Sequence, residues 1–308
     1  MAYLRLLRPH QWVKNVFVFA GLVFGHRLTD VPSVLLTLAG FASLCLVSSA
    51  VYVINDVHDR EEDRVHPRKR ERPIAAGVIS VPTGLVIAAT LLFFGLGFGW
   101  LLRPQFGMVA LTYLLIQVGY TFGLKHAVIL DVITIGLGFV LRAVSGAVLI
   151  GVPISHWLVL CTFTLCLFMG FSKRRCELNA LAGERAGNAG RHRRTLDVYT
   201  PDLLNHMTTL TAGIAIVSFM LYTVDDRTVT EFGSFGSRCL LSTLPIVVYA
   251  VFRFAVLVEH GRVDGPTYVL LRDRPFQAAI TLWVAAALGI VYGSDSLRAL
   301  LLRLTGGS

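Results

Sequence analysis

Apolar runs of about 20 residues, nearly free of charge, recur along this chain, and a run of that length crosses a bilayer as a single helix. Nine are readable, at roughly 12–28, 33–54, 82–102, 106–123, 128–151, 155–172, 206–224, 238–257 and 276–293. With 55% of its 308 residues hydrophobic and only 15% charged, the chain carries more apolar surface than a soluble core needs. The expectation is an all-α polytopic membrane protein with nine transmembrane helices. The run at 12–28 is the weakest, because Lys14 and Asn15 sit at its start. No small-residue cleavage site follows it, so it reads as a retained span rather than a signal peptide.

Lysine and arginine set the orientation, since positive loops stay on the cytoplasmic side. With the N-terminus inside, the inside segments hold 21 of the 28 basic residues. The reading is N-in/C-out, in the plasma (inner) membrane. The net charge of +9 is then a matter of topology and anionic lipid contact, and no nucleic-acid partner is implied. The five cysteines show no CxxC and no Cys/His metal spacing, so neither a disulfide framework nor a zinc site is expected. No repeat at periods of 20 to 50 residues is visible. One domain over 1–308 is the simplest organisation, with cytoplasmic loops at about 55–81 and 173–205, and a homo-oligomer is compatible with it.

Charge is concentrated just after the second run, in "INDVHDREEDRVHPRKRERPIAAG" at 54–77. If the helix continues past Ile54, Asp56, Asp59 and Asp63 share one face. Three carboxylates on one face repel one another unless a cation sits among them, and their hard oxygens suit Mg²⁺, which binds through a few carboxylates plus phosphate oxygens. Glu61 and Glu62 point elsewhere and read as solvated charges. Lys69, Arg70 and Arg72 then add phosphate-pairing donors. Carboxylates for a metal followed by cations for phosphate make a diphosphate site, with the active site toward the cytoplasm.

These residues resemble a family. Asn55-Asp56-x-x-Asp59-x-x-x-Asp63 at the end of the second span, followed by "HPRKRERPIAAG", is similar to the first aspartate-rich motif of the UbiA superfamily of intramembrane prenyltransferases. The resemblance implies a UbiA-like helical bundle whose motif holds Mg²⁺, one ion or two, on a diphosphate. Such relatives usually carry a second aspartate-rich motif after span six; here "FSKRRCEL" puts Lys173, Arg174 and Arg175 there, with Glu177 one turn beyond Lys173. Cations cannot hold a second metal, but they suit a further phosphate. "LRPHQWVKN" at 7–15, "YTFGLKHAVILD" at 120–131, "SKRRCEL" at 172–178, "RTLDVYT" at 194–200 and "LRDR" at 271–274 together resemble the decaprenyl-phosphate phosphoribosyltransferase branch, which makes the lipid-linked ribose precursor of mycobacterial arabinan.

What that branch implies is transfer of 5-phosphoribose from phosphoribosyl diphosphate (PRPP) to a polyprenyl phosphate, with release of diphosphate. On this reading Asp56, Asp59 and Asp63 hold Mg²⁺, and Asn55 bonds the diphosphate or the ribose. Lys69, Arg70 and Arg72 take one phosphate group, and Lys173 with Arg174 the other. Lys14 and Asn15 reach the acceptor phosphate or merely snorkel. Tyr120, Lys125 and Asp131 serve the donor, Lys125 on phosphate and Asp131 on ribose hydroxyls or on Lys125. Arg142 lies deep in span five, where an ionisable residue defaults to function, and about 16 Å along the helix from Asp131 it is too far to pair with it. Arg194 and Tyr199, in the insertion after span six, are candidates for a lid. The glycine-rich stretches at 95–100 and 136–139 read as close helix packing rather than as a groove for the polyprenyl chain. The competing readings are an aromatic prenyltransferase of quinone or haem synthesis and a transporter or lipid-anchoring module with a charged vestibule.

Overall fold

The computed structural model describes residues 2–66, 69–183, 198–259, 269 and 272–304. The chain divides into two compact units, Met1–Ile154 and Ser155–Ser308. Among the described residues, eight helical stretches are long and apolar enough to cross a membrane, four in each unit, as expected of an integral multi-pass membrane protein.

The first unit runs α1 (Ala2–Leu7), a 3₁₀ segment (Pro9–Phe19), α2 (Ala20–Phe24), α3 (Val31–His58), α4 (Arg60–Val65), a 3₁₀ turn (Lys69–Glu71), α5 (Val81–Leu102), α6 (Pro104–Phe122), a 3₁₀ turn (Leu124–His126) and α7 (Leu130–Ile150). Prolines in the first turn open α3, α5 and α6, and the Ser80 hydroxyl caps α5 by accepting from the Thr83 amide at 3.3 Å. Helices α3 and α7 are the most buried. Their inward faces are small or polar, Gly40, Ser43, Ser48, Ser49 and Ala50 on α3 and Gly138, Ser145, Gly146 and Ala147 on α7. Small residues let backbones approach where lipid supplies no hydrophobic drive between helices. Ser43 accordingly donates to the Gly95 carbonyl of α5 at 2.7 Å, and side chains at Gly95 or Gly99 would collide with α3 or Phe106. The glycine stretch at 95–100 is therefore helix packing, apart from Gly97, which faces open space. The outer face of α5 presents Val86, Phe93, Phe94 and Leu101, a surface for lipid tails.

Residues 12–28 do not form the long α-helix their hydropathy suggests. Pro9–Phe19 winds as a 3₁₀ helix, and only Ala20–Phe24 is α. At three residues per turn, side chains at i and i+3 eclipse, so Trp12, Asn15, Val18 and Gly21 form one stripe. That stripe is what the unit buries: Trp12 donates to Ser49 at 3.0 Å, Asn15 to Ser48 at 3.1 Å, and Val18 joins a core with Leu44, Phe106 and Leu149. A 3.6-residue pitch would swing these side chains off a common line.

The second unit contains α8 (His156–Gly183), α9 (Pro201–Val224), α10 (Asp226–Ser242), α11 (Leu244–Glu259) and α12 (Arg274–Leu304). Residues 173–183, expected as loop, continue α8: "KRRCELNALA" contains no Gly or Pro, and Lys173 pairs with Glu177 one turn on at 3.8 Å. Phe168, Phe254 and Phe276 form the centre of the core, with ring centroids 5.3 and 6.0 Å apart. Asp273 caps α12, accepting from the Phe276 amide at 2.8 Å while Arg253 donates to both its oxygens at 3.2 and 2.8 Å. The hydrogen bonds from Arg253 hold the Asp273 carboxyl below its ordinary range, with the Phe276 amide adding to them against a smaller opposing effect of burial. Asp273→Ala is expected to destabilise this unit by about 1 kcal/mol, a typical capping loss, as a small fall in melting temperature.

Candidate active site

The charged cluster forms where α3 ends. His58 is the last residue of α3, Asp59 takes a non-helical corner (φ −86°, ψ 5°), and α4 starts at Arg60. The corner breaks the register that would have put three aspartates on one continuous face. Asp56 and Asp63 end up buried, each 1% exposed, and the chain returns through 69–72 to lay Arg72 between them. One Arg72 nitrogen donates to Asp63 Oδ2 at 2.6 Å and to Asp56 Oδ1 at 3.2 Å. Arg8 donates to the same Asp56 oxygen, from a residue 48 positions earlier in the chain.

Arg8 reaches that carboxylate from a left-handed backbone (φ 52°, ψ 57°) directly before Pro9. A non-glycine residue there costs about 1–2 kcal/mol, and a following proline disfavours helical conformations further. Its guanidinium also lies 5.4 Å from the centroid of the Tyr52 ring. Burial lowers its pKa from the ordinary value, and Asp56 opposes that shift. Nothing in the sequence flagged Arg8 beyond its place in "LRPHQWVKN".

Asp59 faces another way. It pairs with Lys125, which is buried on the 3₁₀ turn after α6, and it accepts from the Asn55 amide at 2.9 Å. Thr121 donates to Asn55 Oδ1 at 3.4 Å and so ties α6 to the motif. Each of the three aspartates thus has a cation, and Arg8, Arg72 and Lys125 balance Asp56, Asp59 and Asp63. Among the described residues no three His, Cys, Asp or Glu groups lie together as a ready-made metal cluster. One acceptor of this cluster is left over, since Asp56 Oδ2 is buried with no hydrogen-bond donor among the described residues.

The other sequence candidates fall in several places. Lys69 and Arg70 are exposed on their 3₁₀ turn, Tyr120 is half-buried on α6, and Asp131 is fully buried in the first turn of α7. Glu61 is exposed and pairs with Arg60 and Arg64, as a solvated charge should. Asn15 and Arg142 meet each other in the interior. Arg142 Nε donates to Asn15 Oδ1 at 2.8 Å, and its other nitrogens donate to the Gly138 carbonyl at 2.9 Å and the Tyr113 hydroxyl at 2.7 Å. The Tyr113 ring centroid is 4.5 Å from the guanidinium. Asn15 also donates to Cys45 Sγ at 3.2 Å, so its amide is engaged within the protein and Lys14 beside it is half-buried.

In the second unit, Arg174 is buried and pairs with Glu177, while Lys173 extends to solvent and Arg175 pairs with Glu259 at 3.6 Å. Tyr199 is buried just ahead of α9, and Arg194 lies outside the described residues.

The model of the UbiA prenyltransferase family matches residues 15–269. The chain belongs to the UbiA prenyltransferase family. Among UbiA relatives, the decaprenyl-phosphate phosphoribosyltransferase of Mycobacterium tuberculosis (strain ATCC 25618 / H37Rv) is 35% identical over 285 residues, 91% of each chain. The enzyme of the same name from Corynebacterium glutamicum is 34% identical over 300 residues, 94% of this chain and 86% of its own length. A UbiA homolog from Archaeoglobus fulgidus, solved bound to GPP and Mg²⁺, shares the fold with a TM-score of 0.66 at 19% identity, covering 94% of this chain and 99% of that one.

Proposed function

We propose that this UbiA protein transfers 5-phosphoribose from PRPP to a polyprenyl phosphate and releases diphosphate, making a lipid-linked pentose precursor for the cell wall. The observation that carries the reading is the 35% identity, sustained over 91% of the chain, to an enzyme named for decaprenyl phosphate and phosphoribosyl transfer. The basic turn Lys173–Arg175 agrees with it, because those residues suit a further phosphate where a bare prenyl diphosphate has none. Lys173 and Arg174 are assigned to that phosphate.

The residues fit Mg²⁺. Asp56 and Asp63 offer hard oxygens, and among the described residues no group donates to Asp56 Oδ2. Mg²⁺ is usually held by one or two carboxylates plus substrate phosphates rather than by a full protein cage, so the absence of a ready-made cluster is no obstacle. When bound, the ion neutralises charge developing on the departing diphosphate. Lys125 and Arg72 donate to the same diphosphate, Asp59 and Asn55 hold Lys125 in place, and Lys69 and Arg70 sit where the chain turns back over the site. Asp131 and Tyr120 serve the ribose. The C1–O bond to diphosphate breaks as a C1–O bond to the acceptor phosphate forms. The acceptor oxygen is already anionic and no proton need move. Rate enhancement then comes from placing that oxygen and from fixed positive charge at the leaving group. Arg142 and Asn15 act from behind, fixing the 3₁₀ segment that carries Lys14 toward the acceptor phosphate.

The 3₁₀ segment also supports a ninth span. At about 2.0 Å per residue over its 11 residues, plus about 1.5 Å over the five of α2, the stretch measures about 30 Å, enough to cross the hydrocarbon core. Nine crossings put the N-terminus and the aspartate site on the cytoplasmic side of the plasma membrane and the C-terminus outside.

Isothermal titration of PRPP in the presence of Mg²⁺ tests the site. Binding should require Mg²⁺ and weaken about 10- to 100-fold in Lys125→Met, the loss of one charge-assisted contact. Binding of dimethylallyl diphosphate with none of PRPP would contradict the proposal.

A further inference from the structure

Two guanidinium groups share one oxygen of Asp56, although cations repel and the other oxygen of that carboxylate has no donor among the described residues. The two are not held alike. Arg72 has a second and shorter anchor on Asp63 at 2.6 Å. Arg8 has Asp56 as its one ion-pair partner among the described residues, and it holds that partner from a left-handed backbone before a proline. Its side chain is 17% exposed, against 1% for the carboxylate it covers. Backbone strain of this kind persists only where surrounding contacts enforce it, and it gathers at ligand clamps and switches. Here Leu6, buried in a core with Ala50, Val53 and Ile74, fixes one side of the strained residue, and Trp12, donating to Ser49, fixes the other.

We propose that Arg8 is a positioning residue that occupies Asp56 while the donor is absent and passes to a phosphate oxygen when donor and metal arrive together. The inference rests on the assignment of diphosphate and Mg²⁺ to this site. Arg8, Arg72 and Lys125 balance the three carboxylates, so a free divalent ion meets no net negative charge, and at Asp56 it meets two guanidinium groups. Mg²⁺ paired with diphosphate brings its own compensating anion, and the phosphate offers Arg8 an acceptor in exchange for Asp56. Of the two arginines, Arg8 is the one to leave, since Arg72 stays anchored on Asp63. Metal entry is thereby tied to donor entry, and Asp56 stays oriented in between.

The test uses Mn²⁺ as probe, read by electron paramagnetic resonance on the full-length protein in detergent, alone and with inorganic diphosphate. The wild type should bind Mn²⁺ weakly alone and more tightly with diphosphate. In Arg8→Gln, and in Arg8→Asn, whose side chain tolerates the left-handed backbone, Mn²⁺ alone should bind about tenfold more tightly while diphosphate binds about tenfold more weakly. Arg8→Lys should return both values toward wild type. Opposite movement of the two affinities is the signature, because a purely structural role would lower both. A joint fall, or no change in either, overturns the proposal. If diphosphate brings no Mn²⁺ to the wild-type protein, the reading of the site fails and this inference with it; if it does and the Arg8 variants match wild type, the inference alone fails.

Discussion

Replacing Asp56 with Asn is expected to lower the turnover of the folded protein with PRPP by about 10³-fold, the scale of losing a principal electrostatic contributor. The substitution keeps the size of the side chain and removes its charge. It replaces a carboxylate whose Oδ2 is buried with no donor among the described residues, and it leaves Arg8 and Arg72 facing each other without their shared anion. Some stability is lost as well, because a buried pair broken on one side leaves uncompensated charge. Specific activity therefore has to be referred to the folded fraction, measured by size-exclusion chromatography. Activity within tenfold of wild type would remove Asp56 from the reaction and leave it a scaffold residue.

The largest structural effect is expected at Gly146. A Cβ placed there would lie 1.8 Å from the carbonyl oxygen of Val18 and 2.7 Å from its carbonyl carbon. Both are backbone atoms, so no rotamer change relieves the clash, and the 3₁₀ segment would have to leave α7. Gly21, on the same stripe, meets the Ala147 backbone at 2.8 Å and leaves no slack on that side. Gly146→Ala should cost about 3 kcal/mol, the upper part of the overpacking range, and lower the melting temperature in detergent. It should also reduce activity, since Asn15 would be pulled from Arg142. Gly97→Ala is the control: nothing lies within 4 Å of a Cβ there, and a helical glycine replaced by alanine gains about 0.5–1 kcal/mol. Equal melting temperatures for the two variants would contradict the packing described.

Much of the site was legible in the sequence because its chemistry is local. Asn55, Asp56, Asp59 and Asp63 fall within nine residues, and their types point to a cation and a diphosphate wherever the backbone takes them. Lys125 was reachable through a short motif. Arg8 was not, since its contact with Asp56 spans 48 positions and a lone arginine before a proline is an ordinary loop feature. The division of the aspartates between Arg72 and Lys125 was equally hidden, because a helical wheel assumes the helix continues and the corner falls on Asp59 itself. Hydropathy found the first apolar stretch but not its winding. Trp12, Asn15 and Val18 fit a 3.0-residue period, but over a stretch this short apolar spacing alone does not separate it from 3.6. Arg142 was conspicuous as an ionisable residue in an apolar helix, yet its partners, Asn15 and Tyr113, lie on other segments.

Purified protein with Mg²⁺ is incubated with PRPP and a polyprenyl phosphate, and in parallel with a prenyl diphosphate and 4-hydroxybenzoate, and the lipid products are read by mass spectrometry. The expected result is a Mg²⁺-dependent polyprenyl phosphate heavier by one phosphoribosyl group, with no product in the parallel reaction. A prenylated aromatic with an unchanged polyprenyl phosphate would contradict the account.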